Sequence, residues 1–66
     1  MKTFNAYICT FSLGSNMKYI GTYNTVREAR AAAKAAYHNG EKAANNLPSS
    51  AYAWQNAKKE MCYSWR

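Results

Sequence analysis

Residues 18–40 read KYIGTYNTVREARAAAKAAYHNG, Lys18 to Gly40, and this stretch decides the fold. Its first part, Met17 to Tyr23, is a short run rich in β-branched and aromatic residues, which argues for a strand. Thr25-Val26-Arg27-Glu28 then fits a capping box. The Thr25 hydroxyl is expected to accept from the third helical N–H, while Glu28 reaches back. The Ala-rich run from Ala29 to Ala36 has high helix propensity. Val26, Ala29, Ala33 and Ala36 or Tyr37 recur at helical spacing and form a narrow, smooth face suited to lying close on a sheet. Arg27, Arg30, Lys34 and His38 fall together on a different face. Asn39-Gly40 supplies a left-handed stop.

Upstream, residues 3–12 alternate: Phe4, Ala6, Ile8 and Thr10 on one face, Tyr7, Cys9 and Phe11 on the other. Such alternation argues for a first strand, and Gly14-Ser15-Asn16 marks a hairpin turn. Downstream, residues 41–50 are polar and Asn-rich and read as a linker. Pro48 followed by Ser49 reads as a helix entry, and Ala51, Trp54, Ala57 or Lys58, and Met61 make an apolar stripe at helical spacing. The expectation for residues 51–66 is therefore an amphipathic helix, with a short strand over 61–65 as the alternative. The fold class is α+β: an antiparallel hairpin or small sheet packed on one Ala-rich helix, a ββα unit over 1–40 within a single domain of 66 residues.

Composition narrows the function. Nine Lys plus Arg against three acidic residues give a formal charge of +6. Twelve of the apolar residues are Ala, and the large aliphatics are only Ile8, Leu13, Ile20, Val26 and Leu47. Six Tyr, two Trp and two Phe supply the remaining bulk. Holding 66 residues costs on the order of 100 kcal/mol of chain entropy, so a core this thin is expected to be marginal, or helped by a partner or a second copy. No run approaches the ~20 apolar residues of a membrane span. No signal peptide is visible at Met1-Lys2, and the expected compartment is the cytoplasm, that of the host cell if the chain is phage-encoded.

No catalytic set stands out. His38 is the single His, the three Glu have structural readings, and Gly14, Gly21 and Gly40 are too scattered for a phosphate loop. Cys9 and Cys62 have no metal-ligand spacing and read as partly buried thiols in a reducing compartment. The expectation is a non-enzyme without metal or cofactor. The basic stripe of Arg27, Arg30 and Lys34 suits phosphate contacts on DNA or another polyanion. Its bland alternative is a solvated helix face. The surplus of Tyr and Trp suits either base stacking or a protein interface.

Tyr19-Ile20-Gly21-Thr22-Tyr23, Thr25, Glu28-Ala29, Ala32, Ala35-Ala36, Tyr37 to Glu41, Ala43 and Asn46-Leu47-Pro48 together resemble part of an AP2-type DNA-binding domain. The resemblance covers about half of the chain, Lys18 to Pro48. It implies a small antiparallel sheet that reads DNA, with the helix packed behind it. It places Lys18 and Tyr19 at or near the DNA-facing strand, and Ile20, Ala29, Ala32 and Ala36 between sheet and helix. The family's sheet has three strands rich in Arg and Trp, whereas residues 1–24 here carry only Lys2 and Lys18 as cations.

Two functions follow. One is a small basic nucleic-acid-binding module that contacts DNA phosphates through Lys18, Tyr19, Arg27, Arg30, Lys34 and His38. The other is a phage-type accessory protein that inhibits a host enzyme, such as an RNA polymerase, a nuclease or a CRISPR effector. It would present its basic, aromatic-rich surface to an acidic patch.

Overall fold

A computed structural model of the chain describes residues 2–10 and 15–64. The expectations placed on Phe11, Gly14 and Trp65 lie outside these residues. Four strands, β1 (Phe4–Cys9), β2 (Lys18–Tyr23), β3 (Ala51–Gln55) and β4 (Met61–Ser64), form one antiparallel sheet in the order β2-β1-β3-β4. One helix, α1 (Val26–His38), packs on one face of it. The α+β reading holds, and so does the hairpin that precedes the helix.

The helix begins and ends as its sequence dictates. Thr25 Oγ1 accepts from the Glu28 N–H at 3.0 Å, and Glu28 Oε1 accepts from the Asn24 N–H at 3.3 Å. At the other end the Gly40 N–H reaches the Tyr37 carbonyl and the Glu41 N–H reaches the Ala36 carbonyl, both at 3.1 Å. This pair of bonds is a Schellman motif. It requires φ +80° at Gly40, where a Cβ would meet no atom within 4 Å. The obstacle to a side chain there is therefore the backbone alone. Gly40→Ala should cost about 1 kcal/mol, which lowers the melting temperature of so small a domain by about 4–8 °C. Gly40→Asn should lose less, because Asn tolerates the left-handed region. Equal melting curves for wild type and Gly40→Ala would show that this motif does not hold the helix end.

The core lies between helix and sheet. Phe4, Ala6 and Ile8 of β1, Ala29, Ala33 and Ala36 of α1, and Tyr52 of β3 are buried together. Ile20, Tyr23, Val26, Ala32, Tyr37 and Trp54 close the cluster at its margin. The three helix alanines are the small residues that let the helix axis approach the sheet. A register shift between Ala6 and Tyr7 puts a bulge in β2, so Ala6 faces Gly21 while Tyr7 faces Tyr19. The extra residue, Ile20, packs on the helix side. The bare Cα of Gly21 leaves room for the Tyr23 ring, whose hydroxyl would lie 2.7 Å from a Cβ there.

The amphipathic helix expected from Ala51 onward does not form. Residues 51–64 are a hairpin instead. Alanine favours helix only as an isolated preference, and tertiary pairing overrides it. β3 is hydrogen-bonded on both sides, to β1 and to β4. Tyr52 and Trp54 face the helix, while Ala51 and Ala53 face away. Asn56 makes the turn: its Oδ1 accepts from the N–H groups of Lys58 and Glu60 at 2.9 and 3.0 Å. The linker is also built into the body. Asn45 and Asn46 take positive φ of 62° and 60°, and the Ala44 N–H reaches the Asn16 carbonyl at 2.9 Å.

Candidate nucleic-acid interface

The six residues singled out from sequence fall on more than one surface. Arg27, Arg30 and Lys34 share the outer flank of α1 and, with Val26 and Ala31, line a shallow depression. His38 continues the line one turn on. It borders a second depression with Tyr37, Gly40, Lys42, Pro48 and Ser49. From Arg27 to Lys34 the stripe spans about 10 Å of helix. Lys18 and Tyr19 do not join it. Lys18 faces the helix side of edge strand β2, where its Nζ pairs with Glu41 Oε1 at 3.2 Å. Tyr19 points the other way, 56% exposed on the open face of the sheet.

Aromatic rings lie under the basic stripe, a feature that sequence spacing did not show. The Arg30 guanidinium sits 5.6 Å from the centroid of the Trp54 ring. Trp54 neighbours Tyr52 at 5.7 Å, Tyr52 neighbours Tyr37 at 5.7 Å, and Tyr37 neighbours His38 at 5.4 Å. A rail of rings thus runs from Arg30 to His38. Stacking on Trp54 holds Arg30 by a cation–π contact and limits its loss of freedom on binding. The signal was present as the Tyr52-x-Trp54 alternation, which becomes a rail only once β3 is read as a strand.

The charge of the stripe is not cancelled. The chain has three acidic residues. Glu28 caps the helix at Asn24, Glu41 pairs with Lys18, and Glu60 accepts from Asn56 Nδ2 at 3.3 Å. Among the described residues, Lys18–Glu41 is the one ion pair.

The open sheet face has the opposite character. It carries Asn5, Tyr7, Cys9, Tyr19, Thr22, Ala51, Ala53, Gln55, Met61 and Tyr63, with no charged side chain among the described residues. Tyr19 donates to the Thr22 hydroxyl, which donates to Asn5 Oδ1 at 2.8 Å. Asn5 Nδ2 donates to the Tyr7 hydroxyl at 2.9 Å, and the Asn5 N–H donates to Gln55 Oε1 at 2.8 Å. The Tyr7 and Tyr19 rings meet edge to face at 5.8 Å.

No group of three or more His, Cys, Asp or Glu that could hold a metal ion occurs among the described residues. Cys9 is buried under the open face, whereas Cys62 faces the helix side from β4. A bridge between them would have to cross the sheet. No known family, curated protein or solved structure matches the chain.

Proposed function

We propose that the chain is a small nucleic-acid-binding module that holds the phosphate backbone with the outer flank of α1. The observation that supports this is the uncancelled cation stripe. Arg27, Arg30 and Lys34 lie on one flank, Lys42 continues the line, and the three glutamates, Glu28, Glu41 and Glu60, are engaged elsewhere. Arg30, braced on Trp54, and the neighbouring cations offer donors at a spacing that follows the helix repeat. Such contacts draw affinity from counterion release and carry no sequence information of their own. Phosphates are assigned to the helix rather than the sheet because the described open face has no cation.

The test is a fluorescence-anisotropy titration of duplex and single-stranded DNA at two salt concentrations. Three or four phosphate contacts predict a loss of duplex affinity of about 40- to 150-fold between ~50 and ~200 mM salt. Absence of binding at both concentrations would overturn the reading. A second reading has one observation in its favour: an Arg stacked on a Trp is the pair of residue types most enriched at interface hot spots. On that reading the same stripe docks on an acidic surface of a host enzyme and blocks it. A tight protein complex with a shallow salt slope would select it.

A further inference from the structure

The basic flank of α1 overlooks a ledge. α1 packs against β2, β1 and β3 and stops short of β4, the edge strand on that side. Arg30 stands over Trp54 of β3, and Trp54 pairs with Cys62 of β4. The flank that carries Arg27, Arg30 and Lys34 is therefore the one beside β4. On the ledge Cys62 and Ser64 face the helix side, opposite Trp54 and Tyr52, and both are half-buried. The ledge is one strand wide, about 5 Å, and about 13 Å long. Cations stand at both of its ends. His38 and Lys42 border the depression past the end of α1. Lys58 and Lys59 occupy the β3–β4 turn at the other end, with the Lys59 ammonium 4.9 Å from the centroid of the Phe4 ring. The acid of that turn, Glu60, accepts from Asn56.

This shape discriminates between the forms of nucleic acid. A duplex can lay phosphates on the outer side of the stripe, but it cannot enter a ledge ~5 Å wide, since its major groove alone is ~12 Å across. A single strand can lie along the ledge beside the same cations. There it meets the Arg30–Trp54 pair. Unpaired bases stack on guanidinium planes and on aromatic rings, and every base has a face to offer. Arg30 is exposed and forms no ion pair among the described residues. The bases of a duplex are already stacked on one another and have no face free for it.

We propose that the ligand of the basic flank is an unpaired strand, which runs along the ledge between α1 and β4 and stacks a base on the Arg30–Trp54 pair. The inference rests on the phosphate-binding reading of α1 and narrows it. The stripe holds the backbone, and the pair holds a base. One stacked base adds about 5- to 150-fold in affinity. The salt slope per phosphate contact is also lower for a single strand, about 0.7 against about 0.9 for a duplex. The strand therefore outlasts the duplex as salt rises.

Fluorescence anisotropy with probes of about 12 nucleotides tests this: a thymidine strand, an abasic sugar-phosphate strand of the same length, and a duplex. The thymidine strand should bind about 5- to 150-fold tighter than the abasic one, and tighter than the duplex at ~200 mM salt. A uridine RNA strand run beside it separates the two sugars, and at least one of them must show the advantage. Arg30→Lys keeps the charge and removes the guanidinium plane, so it should lose most of that advantage while abasic affinity stays within about twofold. Cys62 reports the path. Its alkylation by iodoacetamide should slow about fivefold or more under a saturating thymidine strand, because the reaction needs access to the thiolate, and stay unchanged under a saturating duplex. Cys9 is fully buried and adds no background. Failure of every probe to bind would overturn both this proposal and the phosphate reading. Equal binding of the base-bearing and abasic strands, or preference for the duplex at ~200 mM salt, would overturn this proposal alone. So would an advantage untouched by Arg30→Lys, or a Cys62 that reacts at its free rate beneath a bound strand.

Discussion

Ile8→Ala should remove a large share of the stability of this domain. Ile8 is fully buried, the one large aliphatic side chain at the centre of the described core. Truncating such a residue typically costs 2–5 kcal/mol, about 4 kcal/mol where the surroundings cannot collapse. They cannot collapse readily here. Ala6, Ala29, Ala33 and Ala36 are already the smallest side chains available, and β1 is fixed between two strands. A domain of this length has roughly 3–10 kcal/mol of stability in total. The expected result is a fall in melting temperature of more than about 10 °C, and loss of the cooperative transition if the wild type lies at the low end. Leu47→Ala, at an exposed position, should change stability by less than about 0.5 kcal/mol. An Ile8→Ala protein that melts within a few degrees of wild type would remove Ile8 from the centre of the core.

The second large effect is on binding. Arg27→Glu combined with Lys34→Glu should lower duplex affinity at ~50 mM salt by about 200-fold or more, since two phosphate contacts are worth that much there. The salt slope should fall by about two units. Both side chains are exposed, and a Glu in the first turn favours the helix dipole, so the fold survives. Arg30 is left in place because its removal would uncover Trp54 and mix a packing effect with a charge effect. Undiminished binding by the folded double variant would take phosphate contact away from α1.

What the sequence made legible was local. Thr25 and Glu28, three residues apart, and Asn39 followed by Gly40 delimit α1, and period-two alternation marks β1. These signals need no knowledge of distant partners. The C-terminal hairpin was not legible because its evidence is remote. Ala51 to Gln55 is a strand chiefly because β1 lies on one side of it and β4 on the other. The helical spacing of Ala51, Trp54 and Met61 is incidental to that. The candidate site suffered in the same way. Lys18 and Tyr19 are neighbours in sequence, which suggests joint action, yet strand geometry sends them to opposite faces. Helical periodicity alone puts Arg27, Arg30, Lys34 and His38 on one face, and in the folded chain they share it. The Tyr7–Ala53–Tyr63 row could not be seen before the pairing of β1 with β3 and of β3 with β4 was known.

That pairing also sets an order of events on the ribosome. Of the four strands β1 is made before the others, but its neighbour on one side, β3, follows only after β2 and the helix. At about 5–20 residues per second, roughly 2–8 s pass between the synthesis of Cys9 and that of Ala51. During that time β1 can pair only with β2, and its other edge, with Tyr7 and Ile8 beside it, has no strand to bond. The sheet then grows at that edge when β3, itself paired with β4, docks on β1, a pairing of high contact order and hence slow. A chain that ends after the helix therefore carries an open strand edge, and such an edge is a template for pairing with another chain.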